Sequence, residues 1–316
     1  MNLTHYLFEE AKDLPEGLAT VLADIAVACK SISHDVDRSG LLGLHGDMGA
    51  ENVQGEQQQI LDDRSNNMMK ETLSKNDFVL AIASEEEDTV VDCADGTTKG
   101  YGVAYDPLDG SSNIDINAST GTIFSVLPAN SADDAVFLQG SESQVAAGYV
   151  LYGSSTVMVF SAKDGVHEFT LDPDSGEFIQ TEANIQIPQN AGYISYNSYV
   201  LPKMPSDKAK AYEKLILDTG RSQRWMGAMV ADIHRTLVKG GFFAYPETGN
   251  DGNYIGKLRM QYEAKPLGWL VEQAGGKAYV NNVPLADYTP QELHERVSVE
   301  IGDTETIDLY LSYLQK

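Results

Sequence analysis

The sequence predicts a mixed α/β chain of two lobes, and three observations carry that reading. Continuous apolar runs of buried-strand length occur at 78–83 and 122–127. From Ala147 to Leu171 the pattern is that of successive antiparallel strands. Beyond Ile187-Pro188 helical and strand-like segments alternate, as in an α/β layered lobe. The boundary placed there divides the chain into 1–187 and 188–316.

Leu18, Val21, Leu22, Ile25, Ile32 and Val36 recur at helical spacing before Gly40, which predicts a packed amphipathic helix. From Gly40 to Gly55 glycine is frequent and branched apolar residues are scarce. That stretch reads as a loop, either plain surface or a lid over a site. Gln57 to Lys75 reads as a helix. The strand at 78–83 then ends on Ser84-Glu85-Glu86-Glu87-Asp88, either a solvated acidic loop or catalytic groups at a strand end.

Strands are predicted at 147–152, 157–161 and 166–171, the last after an Asp164-Gly165 hairpin signal. The second lobe reads as a strand from Gly192, helices at 208–218 and 227–239, and a strand at 242–245. Helical segments within 259–274, strands at 277–280 and 297–301, and a helix at 304–314 complete it.

Composition excludes several functions. A chain of 316 residues that is 42% hydrophobic can bury a large core. Its 47 Asp+Glu against 22 Lys+Arg give a formal charge of -25. Such a surface repels nucleic acid and anionic lipid, so neither a nucleic acid nor a membrane is expected as partner. Cys29 and Cys93 form no disulfide framework and have no metal-ligand spacing. Met1 to Glu10 lacks the features of a signal peptide, and no apolar run approaches the roughly 20 residues of a membrane span. A cytoplasmic protein with reduced thiols is predicted.

The segment Tyr105-Asp106-Pro107-Leu108-Asp109-Gly110-Ser111-Ser112-Asn113-Ile114-Asp115 places two carboxylates three residues apart, before a Gly-Ser turn leading toward a helix start. Carboxylates bind hard cations such as Mg²⁺ through oxygen, and turn N–H groups hold phosphate. Farther on, Lys257 and Arg259 precede Glu263, which would share a helix face with Arg259. That pair is either a surface ion pair or part of a site. Arg221-Ser222-Gln223-Arg224-Trp225 is either an anion site or an interface.

His234, on an apolar helix, reads as a packed histidine. There is no G-x-S-x-G elbow, no Walker A loop and no G-x-G-x-x-G after a strand. The oxygen-rich, acidic character suits Mg²⁺ or Mn²⁺ and not zinc.

Taken together, Asp106-Pro107-Leu108-Asp109-Gly110-Ser111-Ser112-Asn113-Ile114-Asp115, Ser84-Glu85-Glu86, the run from Gly227 to Leu237, Lys257-Leu258-Arg259 through Tyr262-Glu263, and Val271 to Gly276 closely resemble class I fructose-1,6-bisphosphatase. The resemblance covers nearly the whole chain from about Gly17. It implies a layered α-β-α-β-α fold with the active site between two lobes, and cleavage of the 1-phosphate of fructose 1,6-bisphosphate in gluconeogenesis.

The implied metal ligands are Glu85, Asp106, the carbonyl of Leu108, Asp109 and Glu263, with Glu56 near a further site. Two or more Mg²⁺ per subunit are implied, with Mn²⁺ as a substitute. Asp62 and Glu86 would orient and deprotonate the attacking water. The amides of Gly110, Ser111 and Ser112, with Arg259, would hold the 1-phosphate. Asn197, Tyr199, Arg224, Trp225, Tyr245 and Lys257 would hold the 6-phosphate and sugar, with Met229 against the ring. Family members are usually homotetramers in which the arginine matching Arg224 reaches a neighbouring site.

The chain departs from the family pattern in four places. Glu56 stands where Asp is common, Asn197 and Tyr199 are one residue closer than usual, and Trp225 replaces a Tyr. Animal members bind AMP through a Gly-Glu-Leu-Thr turn, a lysine and an arginine; here Pro15-Glu16-Gly17-Leu18-Ala19, Gly100 and Pro128 stand in those places. Two competing readings are a hydrolase of sedoheptulose 1,7-bisphosphate or inositol phosphates, and a catalytically silent binding protein. The presence of Glu85, Glu86, Asp106, Asp109 and Glu263 argues against the second.

Overall fold

A computed structural model describes residues 1–11, 13–44, 46–51, 57–189, 192–250 and 252–314. Its first sheet is built from β1 (Val79–Ser84), β2 (Val91–Asp92), β3 (Gly100–Asp109), β4 (Thr120–Ala129), β5 (Ala146–Tyr152), β6 (Thr156–Ser161), β7 (Val166–Asp172) and β8 (Glu177–Glu182). The strand order is β8-β7-β6-β5-β4-β3-β1-β2. All neighbours are antiparallel except β1 and β3, which run parallel. Short hairpins join β5 to β8 in turn, 110–119 and 130–145 connect β3 to β4 and β4 to β5, and the parallel pair is joined by a crossover through 85–99.

Both faces of this sheet are covered, so its strands are apolar on both sides. Val103, Tyr105, Phe124, Val126, Val150 and Phe160 pack against helices α1 (Leu18–Asp37) and α2 (Ile60–Leu73). The opposite residues Ile123, Tyr149, Leu151 and Val159 meet helices α4 (Met229–Lys239) and α5 (Lys265–Gln273), an intervening α3 (Ser206–Thr219) lying elsewhere. Beyond α4 and α5 lies the second sheet, from β9 (Tyr193–Ser195), β10 (Ser222–Gln223), β11 (Phe242–Tyr245), β12 (Gly276–Val280), β13 (Val283–Pro284) and β14 (Val299–Asp303). Its order is β10-β9-β11-β14-β12-β13. Its far face buries Ile194, Phe242 and Ala244 against α3 and α6 (Thr304–Leu314), through Tyr212, Leu215, Ile307 and Tyr310. The layers therefore run α-β-α-β-α, as expected.

Two local expectations change. The stretch from Gly40 to Gly55 is not simply irregular: Ser39–Leu42 forms a helical turn, and Asp47–Glu51 pairs antiparallel with Gln57–Gln59. Glu56 lies outside the described residues. The helix expected from Gln57 begins only at Ile60, because Gln59 takes an extended conformation and forms a capping box with Asp62. His234 is packed as expected, with Nδ1 2.9 Å from the Tyr149 hydroxyl.

One buried group is unusual for a core. Lys265 is fully buried at the start of α5, and burial alone pushes its amine down to about 7. Its Nζ donates to the carbonyls of Phe137 at 2.7 Å and Gln139 at 3.3 Å.

Phe160 stacks on Phe169 at 5.7 Å, with both rings fully buried under α1. Truncation there removes a fully buried ring from a packed layer. Phe160→Ala is expected to cost about 3–5 kcal/mol in urea unfolding, and a loss under about 1 kcal/mol would show that this core layer can collapse around the gap.

Candidate active site

The acidic cluster forms where the ends of β1 and β3 meet α4 and the turn before α5. Within a regular strand, residues three apart point to opposite faces. Asp106 and Asp109 nevertheless share a face, because β3 carries a bulge between them. Asp106 pairs with Ile123 but Asp109 pairs with Gly121, so three steps on β3 oppose two on β4. The alternation confirms it: Val103, Tyr105 and Leu108 all enter the core under α1 and α2, at spacings of two and then three. Pro107 sits in this bulge, where its missing N–H breaks no ladder bond, and its carbonyl accepts from Thr122 Oγ1 at 2.9 Å.

Each acid is then fixed by backbone. The Asp106 carboxylate accepts from Leu108 N at 2.9 Å. Asp109 accepts from Val230 N at 2.7 Å, which places it at the N-terminus of α4 where the helix dipole favours negative charge. Glu263 accepts from Arg259 N at 2.5 Å within a π-helical turn, Met260–Ala264, leading into α5. Carboxylate oxygens of Asp106, Asp109 and Glu263 come within 4.8 Å of one another, and all three residues are buried.

Glu85 stands beside them, its N–H bonded to the Tyr105 carbonyl at 3.2 Å and its carboxylate 2.5 Å from the Arg259 guanidinium. Asp62 and Glu86 complete the wall of a 90 Å³ cavity that also includes Leu108, Gly110 and Ser111.

Like charges this close are costly without a cation. Burial first, then Glu85, Asp109 and Glu263, hold the Asp106 carboxyl well above the usual carboxylate range. Burial and Glu263 push Asp109 up to about 7, against the pull of the Val230 and Met229 N–H groups. The donors are all hard carboxylate oxygens, buried and mutually repelling. That chemistry fits a divalent ion such as Mg²⁺.

A 290 Å³ cleft adjoins the acidic cavity and shares Asp109, Gly110, Arg259 and Glu263 with it. Trp225, Met229, Phe243, Tyr245 and Lys257 form its other wall. The Trp225 indole lies parallel to Phe243, with centroids 6.2 Å apart, and leans on Tyr245. Gly110 closes the floor at φ 76°, and a Cβ there would lie 2.4 Å from that of Ala228. Only glycine combines that backbone with that contact.

Several expected residues lie outside this lining. Ser112 is exposed on the 3₁₀ turn Ser111–Ile116. Asn197 caps the next turn, accepting from Tyr199 N at 3.1 Å. Tyr199 is 69% exposed, and its hydroxyl accepts from Lys203 at 2.7 Å. Arg224 is exposed, its guanidinium on the Gln223 carbonyl and 5.9 Å from the Tyr193 ring.

Other residues matter that the sequence did not single out. Asn66 accepts from Ser84 Oγ and donates to Glu87, pinning the turn that carries Glu85 and Glu86. Asp232, buried in α4, accepts from Met226 N, Gly227 N, Ser195 Oγ and Arg235, and so fixes the turn after Trp225. A carboxylate amid Val230, Ala231 and Ile233 was the available signal for Asp232; nothing marked Asn66.

A mixed α/β scaffold that brings buried carboxylates together beside a cation-lined cleft defines a phosphatase of the acidic-cluster class. The sequence matches the family described as fructose-1-6-bisphosphatase, N-terminal domain, over residues 1–183, and its C-terminal domain over 187–315. The chain belongs to the fructose-1,6-bisphosphatase family. It is 44% identical over 309 residues to the class 1 enzyme of Shewanella amazonensis, covering 95% of this chain and 96% of the relative. Against the class 1 enzyme of Hydrogenovibrio crunogenus the identity is 42% over 310 residues, with 95% of each covered. The holo-form crystal structure of Leishmania major fructose-1,6-bisphosphatase superposes with a TM-score of 0.92 at 34% identity, covering 100% of this chain and 99% of that one. The same protein in its T-state gives 0.88 at 35% identity.

A cavity of about 1040 Å³ lies away from the acids and gathers Pro15, Glu16, Lys99, Gly100, Tyr101 and Pro128. Pro15, Glu16, Gly100 and Pro128 are among the positions that the resemblance sets at an AMP site, and none of these four carries a hydroxyl or a positive charge. AMP is therefore expected to inhibit weakly in steady-state assays; inhibition at low micromolar AMP would contradict this.

The raised carboxyl values also set a stability trend. A carboxyl with a higher pKa folded than unfolded binds its proton more tightly in the folded chain. Its contribution is full below the unfolded value of 3.8 and is lost as pH rises through about 7. In chelator, the melting temperature of the wild type should fall relative to Asp109→Asn between about pH 4.5 and 8. Saturating Mg²⁺ should remove the difference, and parallel curves in chelator would refute the assignment.

Proposed function

We propose that this chain removes the 1-phosphate of D-fructose 1,6-bisphosphate, yielding fructose 6-phosphate and phosphate, as a gluconeogenic enzyme. The observation that carries the reading is the meeting of Asp106, Asp109 and Glu263 within 4.8 Å beside a cleft lined by Lys257 and Arg259. Glu85, Asp106, the Leu108 carbonyl, Asp109 and Glu263 would hold Mg²⁺ or Mn²⁺, with Glu56 near a further ion. When bound, these ions neutralise phosphoryl oxygens and lower the pKa of the attacking water.

The chain's own groups do the rest. Asp62, oriented by its bond from Gln59 N at 3.2 Å, and Glu86 align the water and take its proton. The N–H groups of Gly110 and Ser111, joined by Ser112, receive the phosphoryl oxygens, and Arg259 balances their charge. Lys257 and the Trp225 N–H donate to the 6-phosphate, which needs donors only, so tryptophan can replace tyrosine there. Tyr245 and Met229 pack against the sugar.

Residues 1–187 would form the metal and 1-phosphate lobe, and 188–316 the lobe for sugar and 6-phosphate. Arg224, exposed in the single chain, would complete a neighbouring site in a cytoplasmic homotetramer.

The test is phosphate release from fructose 1,6-bisphosphate with and without Mg²⁺. Asp109→Ala is expected to lower kcat by several orders of magnitude, and Arg224→Ala chiefly to raise KM. Near-normal turnover of Asp109→Ala would refute the metal assignment. Light scattering after size exclusion checks the tetramer.

A further inference from the structure

Lys265 follows Glu263 by two residues, yet the reaction asks for no cation there. The lysine is fully buried, and its Nζ reaches the carbonyls of Phe137 and Gln139, in the segment that follows the 3₁₀ turn Asp134–Val136. Burying an amine in a core costs stability that leucine or methionine would not, so its contribution is geometric. The Lys265 carbonyl is held as well, accepting from Gln144 Nε2 at 3.4 Å, while Gln144 Oε1 accepts from Ser125 Oγ of β4 at 2.7 Å. Tyr262 and Phe137 share one apolar cluster with Val136 and Leu293. Residue 265 is thus tied to two separate parts of the first lobe.

What these ties control is the turn just before them. Met260–Ala264 is π-helical, a wide and uncommon turn that appears where a helix must deliver a side chain off its regular pitch. On its leading side, Met260 N bonds the Glu295 carbonyl at 2.8 Å and Arg259 N bonds Glu263 at 2.5 Å. On its trailing side stands Lys265. We propose that Lys265 is a positioning residue: its strap to the 137–139 carbonyls fixes the π-turn so that Glu263 meets Asp106 and Asp109 before an ion binds. This rests on the reading of Glu263 as a metal ligand.

The test titrates Mn²⁺ into full-length, substrate-free protein, following the free ion by electron paramagnetic resonance, with melting temperatures measured alongside. Lys265→Met has the shape but no donor, and Lys265→Asn is too short to reach either carbonyl. Each is expected to bind Mn²⁺ roughly 10-fold more weakly, the scale on which supporting residues tune metal sites. KM for fructose 1,6-bisphosphate at saturating Mn²⁺ should stay unchanged. If one variant fails to fold, the other decides.

Wild-type Mn²⁺ affinity in a folded Lys265 variant, with or without a lower melting temperature, would overturn the proposal, provided Asp109→Ala has lost affinity in the same titration. Should Asp109→Ala also bind like wild type, the metal reading itself fails, and the proposal with it.

Discussion

The structure depends on keeping four carboxylates in near contact against their own repulsion. Asp106, Asp109 and Glu263 approach within 4.8 Å, and Glu85 is held at their edge by Arg259. Nothing in the acids favours this arrangement, so the scaffold must impose it. It does so with backbone: N–H groups of Leu108, Val230 and Arg259 each take one carboxylate. Backbone donors suit the task because they are already fixed by strand and helix, and they leave the remaining oxygens facing the cavity.

The layer order follows from the same demand. Asp106 and Asp109 come from the first sheet, Val230 from a helix of the middle layer, and Arg259 and Glu263 from the approach to its second helix. A cluster assembled from three elements holds only if those elements cannot slide. Burial of Ile123, Tyr149 and Leu151 against Val230, Ile233 and Leu270 supplies that rigidity. The guanidinium of Arg259, sharing both cavities, links acid and cleft in one side chain.

Much of this was legible in the sequence. The apolar runs of β1 and β4 and the succession of strands β5 to β7 were plain, because buried strands in a covered sheet carry a strong hydrophobic signal. The order of helices and strands in the second lobe was likewise clear. The acidic motif, Glu85, Arg259 and Glu263 were readable as chemistry, though not as neighbours. Less legible was whatever depends on local backbone choice. The pairing of 47–51 with 57–59 hides in polar, glycine-rich sequence with no period to read. Tyr199 read as a sugar contact by resemblance, and its hydroxyl accepts from Lys203, four residues on in the same turn. Asn66 and Asp232 act by orienting other groups, and such roles depend on partners distant in the chain.

The bulge in β3 gives the motif a property its composition does not suggest. The three-residue interval between Asp106 and Asp109 is a length standard: the extra residue opposite Ile123 and Gly121 sets the facing of everything after it. If the bulge were ironed out, with all three steps in regular register, the Asp109 position would turn toward the α1 and α2 core and strand a charge in oil. Changing the intervening side chains, by contrast, leaves the count intact. Phase, more than charge, is what this segment has to preserve.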